Sequence, residues 1–130
     1  MTVRTTTKER HARHLKRSDC PLSCTLDLIG DKWSLLIVRD LLFGCTRYGE
    51  LLKSGEGIPT NILSQRLKHL ERVGIIERLS SSKPRSRYEY RLTKPGLRLA
   101  PAIRALAEWG HSEVEGTRSP PPTARRPKHT

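Results

Sequence analysis

Apolar residues recur at Leu22, Leu26 and Ile29, the i, i+4, i+7 spacing of one helical face, and Gly30 ends the run. Asp31 stands where the next helix needs a cap. From Lys32 to Phe43 two apolar stripes coexist, Trp33/Leu36/Ile37/Leu41 and Leu35/Val38/Leu42, so this helix is expected to be covered on most sides and to form the core. After Gly44, the positions of Tyr48, Leu51 and Leu52 predict a helix of about two turns that stops in Ser54-Gly55-Glu56-Gly57. The strongest periodicity follows. Leu63, Leu67 and Leu70 share one stripe, flanked by Ile62 and Val73, and predict a helix over 60–73. Pro59 suits its first helical position, Thr60 suits its N-cap, and Gly74 closes it.

Beyond Gly74 the period changes. Ile75 to Leu79 has strand character, 80–86 reads as a turn, and Arg87 to Leu92 alternates Tyr88/Tyr90/Leu92 against Arg87/Glu89/Arg91. This predicts a β-hairpin with one packed face and one basic, exposed face. Thr93 is an N-cap for a last helix that presents Leu99, Ile103, Leu106 and Trp109, with a kink or restart at Pro101. The fold expected is mainly α with a small β-hairpin (α+β), in the element order of a winged helix-turn-helix.

Charge sharpens this picture. The 130 residues carry a formal charge of +12. Residues 1–19 and 117–130 each hold +4. The second of these, with Ser119-Pro120-Pro121-Pro122 and Arg125-Arg126-Pro127, has no periodic apolar residue to bury. The reading is a disordered basic arm over 1–19, a folded domain over 20–116 and a disordered basic, Pro-rich tail over 117–130. Inside the domain, residues 20–45 sum to −1, 46–98 to +7 and 99–116 to −2, so the positive field sits on the central segment and a polyanion should dock there. Basic residues also keep small proteins soluble, but concentration into one segment argues for a partner. Neither arm has an amphipathic helix with apolar anchors, which disfavours a membrane surface.

The longest apolar stretch is broken by Arg39 and Asp40, short of the roughly 18 residues of a membrane span. Residues 1–19 carry charges in place of an apolar signal core, so a cytoplasmic, nucleoid-associated protein is expected. The chain contains no Gly-rich phosphate loop, nucleophile elbow or His-Glu metal motif. An enzyme is therefore not expected, nor a cofactor or metal.

The helix over 60–73 would be the recognition helix. Opposite its leucine stripe stand Thr60, Asn61, Ser64, Gln65 and Lys68. Asn and Gln pair with adenine edges, a Thr methyl meets thymine, and Lys reaches phosphate or guanine. Arg66 and His69, like Arg72, lie at the edges of that face, where phosphate contact or solvation is expected. Any exposed helix face is polar. What singles this one out is its place after a tight Gly-containing turn and before a basic hairpin. At the hairpin tip, about 81–87, Lys83, Arg85 and Arg87 occur within five residues with no acid among them, which suits contact with the backbone or minor groove.

The chain resembles the HxlR-type winged-helix transcriptional regulators of prokaryotes. The likeness is carried in order by Cys20-Pro21, Leu28-Ile29-Gly30-Asp31-Lys32-Trp33, Arg39-Asp40-Leu41-Leu42, Arg47-Tyr48-Gly49-Glu50-Leu51, Ile58 through Leu67, and Tyr88-Glu89-Tyr90 through Thr93. It spans about residues 20–110. The resemblance implies a homodimer built on the first, second and last helices, bound to a palindromic operator in double-stranded DNA, most simply as a repressor. The wing tip is more basic than usual for the family, and both arms extend past the family core. The near-neutral and acidic segments 20–45 and 99–116 are the ones expected to pair, which keeps both positive faces outward. The competing reading for Leu99, Ile103, Leu106 and Trp109 is packing on Trp33 within one chain.

Three cysteines, Cys20, Cys24 and Cys45, are an odd count that suits reduced thiols. Cys20 precedes a helix-initiating Pro, at the positive end of a helix dipole, and some members of the family sense electrophiles or oxidants through a cysteine there. Cys20 is thus a redox candidate, with Cys24 one turn later. The competing reading is a structural Cys-Pro. A small-molecule effector stays open and unidentified. The alternative function is unspecific architectural or RNA binding through the basic arms, weakened because Tyr88 and Tyr90 are needed for packing and so cannot serve as base-stacking platforms.

Overall fold

The structure, a computed structural model, describes residues 17–80 and 88–119. Its elements are α1 (Pro21–Ile29), α2 (Ser34–Leu42), α3 (Tyr48–Leu52), α4 (Thr60–Arg72), β1 (Ile76–Leu79), β2 (Glu89–Leu92), α5 (Lys94–Leu97) and α6 (Ala100–Glu113). The order is the expected one, and α3, the turn at 53–59 and α4 form the helix-turn-helix.

Local chemistry sets the boundaries. Asp31 Oδ2 accepts from the backbone N–H groups of Trp33 and Ser34, both at 3.0 Å, so this carboxylate caps the entry to α2. Helix α3 is a single turn rather than two. Glu50 Oε1 accepts from the N–H groups of Thr46 and Arg47 at 3.0 Å, which compensates for its brevity. At the end of α4, Gly74 takes φ 84°, its N–H reaches Glu71 O, and the N–H of Ile75 reaches Leu70 O. This paired closure needs the left-handed residue that glycine supplies. Thr93 caps only the four-residue α5, and the chain restarts as α6 with Pro101 in its first turn.

The core joins Ile37, Val38 and Leu41 of α2 to Leu51, Ile58, the α4 stripe Leu63/Leu67/Leu70, and Ile75, Ile76 and Leu92 from the hairpin. Helix α2 lies at its centre, with Val38 and Leu41 fully buried. The hairpin is antiparallel, pairing Ile76 with Leu92 and Leu79 with Glu89. An added bridge between Arg47 and Glu89, with the Tyr90 N–H donating to Thr46 O at 2.7 Å, ties β2 to the start of α3. Thr93 Oγ1 donates to Gly74 O at 2.6 Å, so the end of the hairpin is fixed to the end of α4. Gly96 approaches so closely that a Cβ there would meet Ile75 O at 2.1 Å.

Of the α1 stripe Leu22/Leu26/Ile29, Ile29 is buried together with its neighbour Leu28, while Leu22 is 66% and Leu26 49% exposed. Asp40 is buried, and Arg39 donates to it from Nε at 3.0 Å and Nη2 at 2.9 Å.

Helix α6 divides its apolar face. Leu99, just before it, and Ile103 pack partly buried against the core, whereas Leu106 and Trp109 stand 56% and 64% exposed. Packing within one chain thus accounts for the first pair only. None of the helices formed by the described residues is long and apolar enough to cross a membrane.

Candidate nucleic-acid interface

The leucine stripe of α4 is anchored in the core, which turns the opposite side outward by helical geometry. Thr60, Asn61, Gln65 and Lys68 are exposed there. The side chains of Asn61, Gln65 and Lys68 have no hydrogen-bond or ion-pair partner among the described residues, so their donors and acceptors are available to a ligand. Ser64, on the same face, is half-buried, with Oγ 3.4 Å from the hydroxyl of Tyr48. Tyr48 Oη donates to Thr60 O at 2.9 Å and so pins the first turn of α4 to α3.

Two residues proposed from sequence for this face point elsewhere. Arg66 Nη1 pairs with Asp31 Oδ1 at 3.4 Å, against the cap of α2. His69 Nε2 lies 2.6 Å from Leu28 O, and because a carbonyl only accepts, that nitrogen carries the proton. The other ring nitrogen then accepts from Arg72 Nη2 at 3.1 Å. Both side chains bind α4 to the α1–α2 corner.

The described part of the hairpin does not present free cations. Arg91 pairs with Glu77, Arg47 with Glu89 at 3.1 Å, and Arg78 with Glu71 at 3.6 Å. Arg78 also lies 4.0 Å from the centroid of the Tyr88 ring. On the face expected to be basic, Arg91 is thus paired across the strands with Glu77, while Arg78, in register with Tyr90, lies on the other face and pairs with Glu71 of α4. Lys83, Arg85 and Arg87 lie outside the described residues. Between α4 and the hairpin a crevice of about 100 Å³ is lined by Tyr48, Ser64, Lys68, Glu71, Arg78 and Tyr90 among others. Burial raises the Tyr90 phenol above its ordinary value, so it stays neutral.

A second set of pairs holds the turn of the helix-turn-helix. Arg39 Nη1 donates to Glu56 Oε2 at 2.9 Å while its other donors hold Asp40, so the loop before α4 is fastened to α2. Burial disfavours the Arg39 charge, but the hydrogen bonds it donates to Glu56 and Asp40, with their negative charges, outweigh it and raise its affinity for the proton. Asp31 is likewise a balance. Burial opposes ionisation, yet the Ser34 hydroxyl, the two backbone N–H groups and Arg66 together hold its carboxyl below the usual carboxylate range.

Cys20 is exposed at the start of α1. Its N–H donates to Ser18 Oγ at 2.9 Å, and Cys24 Sγ donates to Ser18 O at 3.2 Å. Cys45 is partly buried against the core. Among the described residues no three His, Cys, Asp or Glu side chains gather as a metal site.

Sequence reasoning took Tyr48 only as an apolar helical position and did not find the Arg39–Glu56, Arg66–Asp31 or Arg78–Glu71 pairs. The phenol hydroxyl was the one available signal for Tyr48. The ion pairs join segments without any periodic relation.

Residues 28–118 match the family described as HxlR-like helix-turn-helix. The chain is 42% identical over 96 residues to the uncharacterised HTH-type transcriptional regulator Rv3095 of Mycobacterium tuberculosis, an overlap of 74% of this chain and 60% of that protein. This chain thus spans well under two thirds of that relative. It is 36% identical over 91 residues to the uncharacterised HTH-type transcriptional regulator YdeP of Bacillus subtilis, covering 70% and 71% of the two chains. Among solved structures, the redox regulator HypR in its oxidised form superposes with TM-score 0.67 at 32% identity, covering 78% of this chain and all of that one.

Proposed function

The chain belongs to the HxlR-like helix-turn-helix family, and on that premise we propose that it is a sequence-specific double-stranded DNA-binding transcriptional regulator that works as a homodimer on a palindromic operator. Helix α4 enters the major groove, reading bases with Thr60, Asn61, Ser64 and Gln65, while Lys68 takes phosphate or guanine. The wing segment 81–87 supplies Lys83, Arg85 and Arg87 to the backbone or minor groove. The regulator acts as a repressor in the cytoplasm, at the nucleoid. The arms 1–19 and 117–130 add unspecific phosphate attraction. Arg66 and His69 hold α4 in place, Arg66 Nη1 facing Asp31 and the His69 Nε2 proton given to Leu28 O.

The observation that carries the reading is the exposed polar row Asn61, Gln65 and Lys68, without partners among the described residues and backed directly by the buried Leu63/Leu67/Leu70 stripe. That backing holds the backbone of the row in place, as base reading requires. The exposed apolar residues Leu22, Leu26, Leu106 and Trp109 support dimerisation through the first and last helices. HypR is a redox regulator, and the exposed Cys20 makes thiol oxidation the proposed signal here. A small-molecule effector is not identified.

The test compares operator, selected from random duplexes, with unrelated DNA. A specific regulator gives an affinity gap of about 10³-fold or more, whereas unspecific binding through the arms gives almost none. Gln65→Ala is expected to relax preference at one base position. Arg85→Ala is expected to weaken all duplexes alike and to flatten the salt dependence. Equal effects of both substitutions on operator and random DNA would contradict these roles.

A further inference from the structure

Among the described residues three ion pairs reach the hairpin, and they are not alike. Arg47 and Arg91 donate hydrogen bonds to Glu89 and Glu77. Arg78 Nε stands 3.6 Å from Glu71 Oε2, past hydrogen-bond reach, so that pair is held by charge alone. No acceptor among the described residues takes an N–H of Arg78. Its guanidinium is steadied by the Tyr88 ring, 4.0 Å from Cζ, and a cation over an aromatic face still has its N–H groups to give. With Nε turned to Glu71, the two Nη groups are open to a ligand. Arg78 lines the crevice of about 100 Å³ from the hairpin side, and Lys68 lines it from α4. Lys68 also belongs to the exposed row of α4, so the crevice opens on the side where that row stands. Glu71 is the one acid among the described lining residues against these two cations, which leaves the crevice net positive.

A helix with its side chains is about 10–12 Å across, and the major groove is about 12 Å wide. A helix seated there fills the groove, and its flanks meet the phosphate strands. The crevice lies on such a flank of α4, with one cation on each wall. A phosphodiester spreads its charge over a pair of free oxygens, which suits the paired N–H groups of a guanidinium from one side and an ammonium from the other. We propose that Arg78 and Lys68 together grip a phosphate of the operator backbone in each half-site, at the mouth of the crevice between α4 and the hairpin. Arg78 is then a DNA-binding residue, and Lys68 takes phosphate in place of guanine. This rests on the reading that α4 lies in the major groove.

The experiment titrates the selected operator and a random duplex with the full chain, Arg78→Ala and Arg78→Lys, from about 50 to 200 mM salt. Arg78→Ala should weaken both duplexes alike, by about tenfold or more, the worth of one charge-assisted hydrogen bond. It should also flatten the dependence of log affinity on log salt by about one for each subunit bound. Arg78→Lys keeps the charge and should restore that slope without the full affinity. A merely structural Arg78 would lower the melting temperature and leave the slope unchanged. Operators with a neutral methylphosphonate at single positions locate the contact. At one position of each half-site the replacement should weaken the intact chain, leave Arg78→Ala nearly indifferent and cost Lys68→Ala less than the intact chain. The proposal is overturned if Arg78→Ala keeps the slope of the intact chain, or if every methylphosphonate weakens Arg78→Ala as much as the intact chain. Site selection with Asn61→Ala and Gln65→Ala keeps the two readings apart. Changed base preference there, with an unchanged slope in Arg78→Ala, leaves the groove reading standing and removes this one. If neither substitution changes any base position, the groove reading fails, and the placement of the phosphate fails with it.

Discussion

His69 Nε2 donates to the main-chain carbonyl of Leu28 at 2.6 Å, joining two residues 41 positions apart. The bond ties the last turns of α4 to the end of α1, the helix that also carries Cys20 at its start. The bond is part-buried, so removing the imidazole costs one hydrogen bond between the two helices. His69→Ala should lower stability by about 0.5–1.5 kcal/mol, the net worth of such a bond. Urea unfolding measures this. The same variant should keep the base preference of the intact chain in duplex selection. A changed preference with unchanged stability would place His69 in the groove after all.

Asp31 predicts a dependence on acid. Its carboxyl is held below the ordinary range in the folded chain, so its contribution is complete above the unfolded value, near pH 4, and is lost as pH falls through the lower folded value. Asp31→Asn retains an acceptor for the backbone N–H groups but loses the charge that faces Arg66. At pH 7 it should be less stable than the intact chain by about 0.2–1 kcal/mol, the range of a partly exposed ion pair. As pH falls from about 4 through the lower folded value the difference should shrink, because the carboxyl then takes up a proton and its charge is lost in the intact chain too. Chemical denaturation from pH 3 to 7 reads both. A constant difference across that range would remove the ionised carboxylate from the account.

Much of the fold was legible because it is written locally. The α4 leucine stripe, the closure at Gly74, the cap at Thr93 and the restart at Pro101 all depend on residues within a turn or two of each other. The outward row Asn61/Gln65/Lys68 follows from the same periodicity. What local pattern could not supply was the choice of partner. Arg66 and His69 occupy the edges of the polar face, where a helical wheel places them equally near DNA and near α1. In the structure Arg66 faces Asp31 and His69 meets Leu28 O, partners supplied from across the chain. The stripe Leu22/Leu26/Ile29 left its covering partner open for a related reason. Helical spacing shows that an apolar face exists, but not whether this chain or a second copy covers it.

Leu106 and Trp109 supply the test of that second possibility. In the single chain they are 56% and 64% exposed, so replacing both with serine removes little intramolecular packing. If they lie between two subunits, Leu106→Ser with Trp109→Ser should convert a dimer to a monomer at micromolar concentration by light scattering. The melting transition of the single-chain core should persist. Operator affinity should fall by about a hundredfold or more, since the two half-sites are no longer bound together. A double variant that stays dimeric moves the interface elsewhere.

Cys20 separates sensing from structure. Its exposure at the start of α1 contrasts with Cys24, half-buried with Sγ donating to Ser18 O, and with Cys45, packed against the core. An oxidant in solution therefore meets Cys20 first, and mass spectrometry after brief diamide treatment should find it modified ahead of the other two. Cys20 precedes Leu22 and Leu26 on the helix whose exposed apolar residues are proposed to pair between subunits, so a bulky or cross-linked sulfur there disturbs the relative placement of the two α4 helices. Oxidation should lower operator affinity by about tenfold or more, in the range of ordinary coupling energies between sites, and thiol reductant should restore it. Cys20→Ser should bind operator as the reduced chain does and ignore diamide. If the chain modified at Cys20 binds operator as tightly as the reduced one, the cysteine is a structural part of the Cys-Pro helix start, and the signal that releases the DNA must enter elsewhere.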